Sequence, residues 1–292
     1  MHLVVQAVIL GLLTGGVYAL MASGLTLAFG VMRVINVAQG ALIILSAYLT
    51  YTLFVHAGLD PFVALLVITP GMFVLGMLLQ FVFIRPLRSE DREELSLLVT
   101  WAIALGIEGV LSVVFKTTYR SVNTGYTNAT WDVGGYTITQ VRFYGFLLSV
   151  AILGLLFLAL TRTRIGRAIR AVVQNPVSAR LLGIETERVA AVGFGLSAAT
   201  ASAAGAVYAM VYPFNPNSHY DLISLLLTII VLGGLGSLGG AILAALFMGV
   251  AEAVLAATIS PTWAKLTFFV ALLTLLLIRP QGLFGVKARG AI

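Results

Sequence analysis

Nine stretches of this 292-residue chain approach or reach the roughly 20 apolar residues that a helix needs to cross a bilayer. They lie at about 4–29, 38–56, 62–84, 95–115, 143–161, 189–212, 222–236, 241–258 and 263–279. Backbone N–H and C=O groups in hydrocarbon must be bonded within the chain, so runs of this length read as helices. No polar domain interrupts the series. The sequence therefore predicts an all-α, polytopic membrane protein, a single transmembrane domain over 1–292 with eight to ten crossing or re-entrant helices. The first stretch is long enough for a helix followed by a re-entrant piece, and 222–240 could pack as one broken hairpin.

Composition agrees. Charged residues make up 10% and hydrophobic residues 60%, with a mean hydropathy of +1.05, whereas a soluble domain carries about 25% charged residues. That excludes a cytosolic enzyme or a disordered chain, and the absence of cysteine excludes a secreted disulfide scaffold. Met1 to Gln6 has no Lys or Arg. A cleaved signal would begin with a basic region and precede a polar domain, so the first run is expected to be a spanning helix.

The net charge of +6 is informative by location. On a membrane protein it reports orientation before it reports a nucleic-acid partner. The connector 162–188 holds six arginines, Arg162, Arg164, Arg167, Arg170, Arg180 and Arg188, against Glu185 and Glu187; the tail adds Arg279, Lys287 and Arg289. With nine crossings and these segments in the cytoplasm, Arg33, Arg85, Arg88 and Arg92 also fall inside. Lys116, Arg120, Arg142 and Lys265 fall outside, a bias the positive-inside rule expects; the uncharged N-terminus then lies outside, which the rule permits, whereas eight or ten crossings place it inside. The outer loop, 116–142, is rich in Thr, Asn, Gly and Tyr, and Tyr136-Thr137-Ile138-Thr139 suits a small hairpin. A faint echo relates Leu25-Thr26 before Gly40-Ala41-Leu42 to Leu227-Thr228 before Gly240-Ala241-Ile242, and internal repeats are common in transporters.

Within the connector, Asn175-Pro176 is a strong helix start: Asn accepts a backbone N–H and Pro suits the first helical position. Gly183 suits the left-handed position that ends a helix. The spacing predicts a helix of under two turns at about 176–182. It is too short to stand alone, and it offers Val177, Leu181, Leu182 and Arg180 to a docking partner. An ordinary basic loop at the bilayer edge would need no such capped apolar helix.

Gly166-Arg167-Ala168, Arg170-Ala171, Asn175 and Ala179-Arg180-Leu181-Leu182-Gly183-Ile184 together resemble the coupling loop of LivH-type permeases, from bacterial ABC importers of branched-chain amino acids. Three further passages are similar to that family, in its order: Gly24 to Gly40, Gly233 to Ala241, and Arg279-Pro280-Gln281-Gly282-Leu283-Phe284-Gly285. Gln39 stands where many relatives have His, and Glu108 where an apolar residue is usual. The resemblance implies a permease subunit of the inner membrane that moves branched-chain or related amino acids by alternating access. It implies two cytoplasmic ATPase subunits, a second permease chain that is often a related one, and a periplasmic binding protein. Coupling to the ATPases would fall on Arg167, Arg170, Asn175, Pro176, Val177, Ala179, Arg180, Leu181 and Gly183. No cofactor is expected on this chain, and ATP-Mg is expected on the partners. The chain's lysines, Lys116, Lys265 and Lys287, each lack the preceding Gly of a phosphate-cradling loop.

Ionisable residues inside a membrane usually face a cavity or a partner. Glu252 follows a stripe of small residues, Ala241, Ala245 and Gly249, continued by Ala256, so it reads either as a pathway group or as a carboxylate on a packing face. Glu108, between Gly106 and Gly109, carries the same two readings. Asn36, Gln39 and Gly40 form a polar break that reads as pathway lining or as an interfacial turn. Gly233, Gly234, Gly236, Gly239 and Gly240 read as a helix break or tight turn, with no basic residue beside them to hold phosphate. His2, His56 and His219 are far apart at segment ends, so no metal site is expected. Ser197, in Gly195-Leu196-Ser197-Ala198, has no His on a later membrane helix to serve as its base, which argues against an intramembrane protease. The remaining alternative is a stand-alone, ion-coupled carrier or channel, for which Glu108 and Glu252 are the available buried charges.

Overall fold

The computed structural model describes residues 2–32, 34–87 and 92–278. In chain order the elements are α1 (His2–Met32), α2 (Gln39–Ala57), α3 (Pro61–Leu79, continued by a π-helical turn Gln80–Ile84) and α4 (Arg92–Phe115). An antiparallel hairpin follows, β1 (Thr130–Val133) and β2 (Tyr136–Thr139), with Thr130 opposite Thr139 and Val133 opposite Tyr136. Then come α5 (Gln140–Arg162), α6 (Arg164–Gln174), α7 (Pro176–Leu181), α8 (Thr186–Val211), α9 (His219–Gly233), α10 (Leu238–Thr258) and α11 (Pro261–Ile278). Among the described residues seven of these, α1, α2, α3 with its π turn, α4, α5, α8 and α10, are long and apolar enough to cross a membrane.

The long helices alternate in direction. At one end the His2 ring stacks on Tyr136 of the hairpin at 4.3 Å, and Arg120 bridges to Phe214 after α8. Asp60 caps α3 there by accepting from the Phe62 amide at 2.9 Å, and it accepts the Tyr126 hydroxyl at 2.7 Å. Burial, reinforced by that carboxylate, pushes the Tyr126 phenol above its ordinary range. At the opposite end sit α6 and α7, with Arg85 after α3 paired to Glu187 of α8 at 2.7 Å. The six arginines of 162–188 and Arg85 therefore share one end, and Lys116, Arg120 and Arg142 the other. Arg33, Arg88, the tail residues Arg279, Lys287 and Arg289, and the passage from Arg279 to Gly285 lie outside the described residues.

Packing is organised on two helices of small residues. Between α1 and α10 the backbones touch. A Cβ on Gly249 would sit 2.6 Å from the Gly11 carbonyl oxygen and the Gly15 Cα, and one on Gly15 would sit 2.8 Å from the Leu246 Cα. The stripe Ala241, Ala245 and Gly249 is buried in this contact. Helix α8 is the most enclosed and packs on α1, α2, α3 and α5. A Cβ on Gly205 would meet the Ser46 Cβ of α2 at 2.8 Å, and one on Gly195 would meet the Phe73 carbonyl of α3 at 2.9 Å. Leu20, Met21, Leu25, Leu42, Ile43 and Ile44 fill the space between as fully buried core.

Three sequence expectations change. Helix α1 is one unbroken helix of 31 residues, with no re-entrant piece; at about 46 Å it exceeds the roughly 30 Å hydrocarbon core, so it tilts or projects. The connector 162–188 is mostly helical, because α6 buries Ile169 and Val172 against Leu27, Val31 and Leu156 while its arginines stay outside. No broken hairpin is confined to 222–240: α9 is unbroken over His219–Gly233, and a turn leads into α10, a separate helix of membrane-spanning length. Helix α9, with 15 residues, spans about 22 Å.

Backbone contact between α1 and α10 makes a direct prediction. Gly249→Val is expected to lower the detergent-solubilised melting point, at an overpacking cost of about 1–3 kcal/mol. Gly239→Ala, with open space around its Cβ position, should leave it unchanged. Equal melting points for the two variants in a thermal-shift assay would contradict this packing.

Candidate functional site

The connector end is built by local caps. Thr163 accepts from the Gly166 amide at 3.0 Å to start α6. The Asn175 Oδ1 accepts from the Val177 and Ser178 amides, both at 3.0 Å, to start α7. Gly183 closes it at φ +80°, where a side chain would be strained, and the Ile184 amide returns to the Ala179 carbonyl at 3.0 Å. Ala179 is buried beneath the helix, and Val177, Leu181 and Leu182 stand outward, Leu181 at 84% exposure. The arginines differ. Arg167 is exposed, Arg170 donates to the Thr161 carbonyl at 3.2 Å, and Arg180 donates through Nε to Thr186 Oγ1 at 2.9 Å.

Asn36, Gln39 and Gly40 meet at the start of α2, fully inside the bundle. Asn36 Nδ2 donates to Gln39 Oε1 at 3.3 Å, Ser197 Oγ donates to the same oxygen at 2.9 Å, and Gln39 Nε2 donates to the Ser197 carbonyl at 3.3 Å. A Cβ on Gly40 would lie 2.6 Å from the His219 carbonyl oxygen. Ser197 is thus a helix-packing hydroxyl, and the polar break in sequence is a buried clasp of α2 on α8 rather than an interfacial turn.

Glu108 is brought to the first turn of α9. Its Oε2 lies 2.9 Å from His219 Nε2 and accepts the Tyr220 hydroxyl at 3.0 Å. The histidine side chain is 3% exposed and the glutamate 18%. Sequence reading left His219 at a segment end; the pairing spans 111 residues, and no local pattern announces it. Among the described residues no three potential metal ligands converge.

Glu252 opens onto a cavity of about 210 Å³ enclosed by α1, α8 with the residue that follows it, α9, α10 and α11. Tyr18 donates to Glu252 Oε2 at 2.8 Å, and Asp221, Ser224, Tyr212 and Phe268 complete the polar and aromatic walls. Tyr212 and Thr14 lie side by side next to Tyr18, and Arg142 donates to Thr14 Oγ1 at 3.2 Å. Arg142, read from sequence as an outer-loop charge, begins α5 and turns inward. The four-residue spacing of Tyr208 and Tyr212 was the available signal, and it was missed. The glycine-rich segment is the expected tight turn: Gly234 and Gly236 adopt φ +88° and +80°, and a Cβ on Gly233 would lie 2.6 Å from the Ala241 amide nitrogen.

Comparison with known proteins gives one answer. The family model for the branched-chain amino acid transport system permease component matches residues 7–277. The chain is 29% identical to the high-affinity branched-chain amino acid transport system permease protein BraD of Pseudomonas aeruginosa, over 96% of this chain and 95% of that one. It is 29% identical to the corresponding LivH protein of Escherichia coli, over 94% and 93%. A probable LivH permease from Methanocaldococcus jannaschii shares 27%, over 91% and 88%. The chain therefore belongs to the branched-chain amino acid transport system permease family, and is a multi-pass membrane transport subunit rather than an enzyme.

Proposed function

We propose that this permease moves branched-chain or chemically related amino acids into the cell across the inner membrane by alternating access. Two cytoplasmic ATPase subunits supply the drive, and a periplasmic binding protein delivers the solute. A second permease chain completes the conduit. In this reading 162–188 faces the cytoplasm and 116–142 the periplasm, which agrees with the arginine-rich end of the bundle.

The observation that carries the proposal is α7. A six-residue helix is not stable by propensity, yet this one is capped at both ends and seated by Ala179. Its outer face presents Val177, Leu181 and Leu182 to water. Exposed apolar side chains on a rigid peg, ringed by arginines, suit a docking partner. ATP-Mg belongs to that partner, because no lysine here follows a glycine as phosphate binding in a P-loop requires. An ion-driven carrier working alone gives this peg no purpose.

The solute is supported by the Tyr18–Glu252 cavity. A carboxylate there suits an ammonium group, and the rings of Phe268 and Phe269 suit an apolar side chain. Glu108, beside the exposed Tyr220 hydroxyl, is a second candidate on the pathway. Asn36 and Gln39 clasp α2 to α8, and Gly40 lets α2 approach the start of α9, which carries Tyr220.

Leu181→Asp with Leu182→Asp is expected to reduce co-purification of the ATPase subunits at least about tenfold, with membrane insertion unchanged. Reversing Arg180 will act more weakly on docking itself, because its Nε contact lies within the chain. Wild-type recovery of ATPase with the double variant would remove the docking role. Glu252→Gln is expected to lower receptor-dependent leucine uptake into proteoliposomes while ATPase association stays intact; unchanged uptake kinetics would leave Glu252 a packing group.

A further inference from the structure

A second cavity, of about 420 Å³, lies behind the peg, between the π turn of α3, the C-terminal end of α1, the α6–α7 pair and the first turn of α8. Its size falls in the roughly 300–1,000 Å³ range of small-molecule sites. Gln80 lines it at 1% exposure, and its Oε1 has no hydrogen-bond partner. A buried acceptor left so costs about 1–3 kcal/mol unless a donor arrives. The π turn is part of the arrangement. Its i→i+5 bond, Arg85 amide to Gln80 carbonyl at 2.8 Å, keeps Gln80 and Arg85 on the cavity, and π turns are frequent at functional sites.

The remaining polar walls are Arg85, Arg180, Thr186 and Glu187. Arg85 meets Glu187 through Nε at 2.7 Å, and Arg180 meets Thr186 through Nε at 2.9 Å. Both contacts use one edge of the guanidinium and leave Nη groups for a carboxylate, which arginine holds in bidentate fashion. Two guanidinium groups face one carboxylate, so a ligand carboxylate finds donors that Glu187 does not already take. Gln80 Oε1 and Glu187 are acceptors for an ammonium, and Val31, Val172 and Ala190 form an apolar wall.

We infer that this cavity binds a free α-amino acid with an apolar side chain, entering from the side that carries the peg. Its carboxylate goes to the arginines and its ammonium to Gln80 and Glu187. The identity of that amino acid as the transported cargo rests on the function proposed above. Occupancy ties α3 to Arg180 of α7 and Glu187 of α8, so delivered cargo restrains the peg and slows ATP-driven cycling.

The test uses the complete importer in nanodiscs without its soluble receptor, with radiolabelled L-leucine as the probe. Saturable binding is expected. 4-Methylpentanoate, which lacks the ammonium, and isoamylamine, which lacks the carboxylate, should compete at least about tenfold more weakly. Gln80→Leu and Glu187→Gln should each weaken leucine binding about tenfold, which is about 1.4 kcal/mol. Leucine should inhibit ATP hydrolysis by the wild-type complex and not by Gln80→Leu. Leucine binding unchanged in both variants overturns the site, as does equal competition by inorganic phosphate. Normal leucine uptake without receptor-independent binding overturns the site and leaves the transport reading standing. Binding that is lost in Gln80→Leu, in a complex that takes up no leucine, supports the site and removes the transport reading.

Discussion

Lipid tails are as apolar as leucine, so burying apolar surface gives a membrane helix little reason to prefer a neighbouring helix over the bilayer. What remains is close van der Waals approach and polar contacts between helices, and both need small side chains. Here that constraint is met along two seams. Gly11, Gly15 and Gly249 let α1 and α10 touch backbone to backbone, and α8 offers Gly193, Gly195, Ala198, Ala201 and Gly205 to three neighbours. Hydroxyls add to this: Ser46 donates to the Ser202 carbonyl at 2.8 Å, and Thr69 bonds Ser202 at 2.7 Å. A larger residue at Gly11, Gly15, Gly205 or Gly249 would have to displace main chain, because most of the nearest neighbours of a new Cβ there are backbone atoms.

The enclosed helix α8 also joins the two functional ends. Its first turn carries Thr186, which receives Arg180 of the peg, and Glu187, which pairs with Arg85 beyond the π turn. Its far end carries Tyr208, and Tyr212 follows directly, where the Glu252 cavity is walled. Midway, Ser197 takes the Gln39 clasp. The peg thus contacts a helix whose other end forms part of a polar cavity.

Much of this was legible in the sequence, for identifiable reasons. Spans were visible because hydrocarbon demands length and apolarity together. The peg was visible because Asn-Pro and a closing Gly are local signals, and caps depend on residues a few positions apart. The glycine turn was visible for the same reason. What stayed hidden depends on partners distant in the chain. Glu108 with His219, and Tyr18 with Glu252, lie 111 and 234 residues apart. Helix α6 was hidden by the opposite fault, since its arginines dominated the composition while Ile169 and Val172 set its inward face. Arg142 was assigned by charge alone, and charge does not show that a guanidinium at the start of a helix can turn toward Thr14.

A solute can bias a conformational cycle only by binding one state better than another. The Glu252 cavity is suited to that, because its walls come from five helices and the turn after α8, and no pair of them fixes it. Any tilt of α9 or α11 against the α1–α10 seam changes the distance from Asp221 or Phe268 to Glu252. The seam itself cannot yield without separating touching backbones, so Tyr18 and Glu252 move as a unit. Under the transport reading proposed above, the acid and hydroxyl on the seam would face aromatic and acidic walls whose distance changes with helix tilt, which would give the cavity different affinities in different states. The same division holds at the opposite end, where Thr186 and Glu187 belong to the enclosed helix and Arg180 to the peg. In each case the polar groups sit at the boundary between an element held by small-residue packing and one held by side-chain contacts.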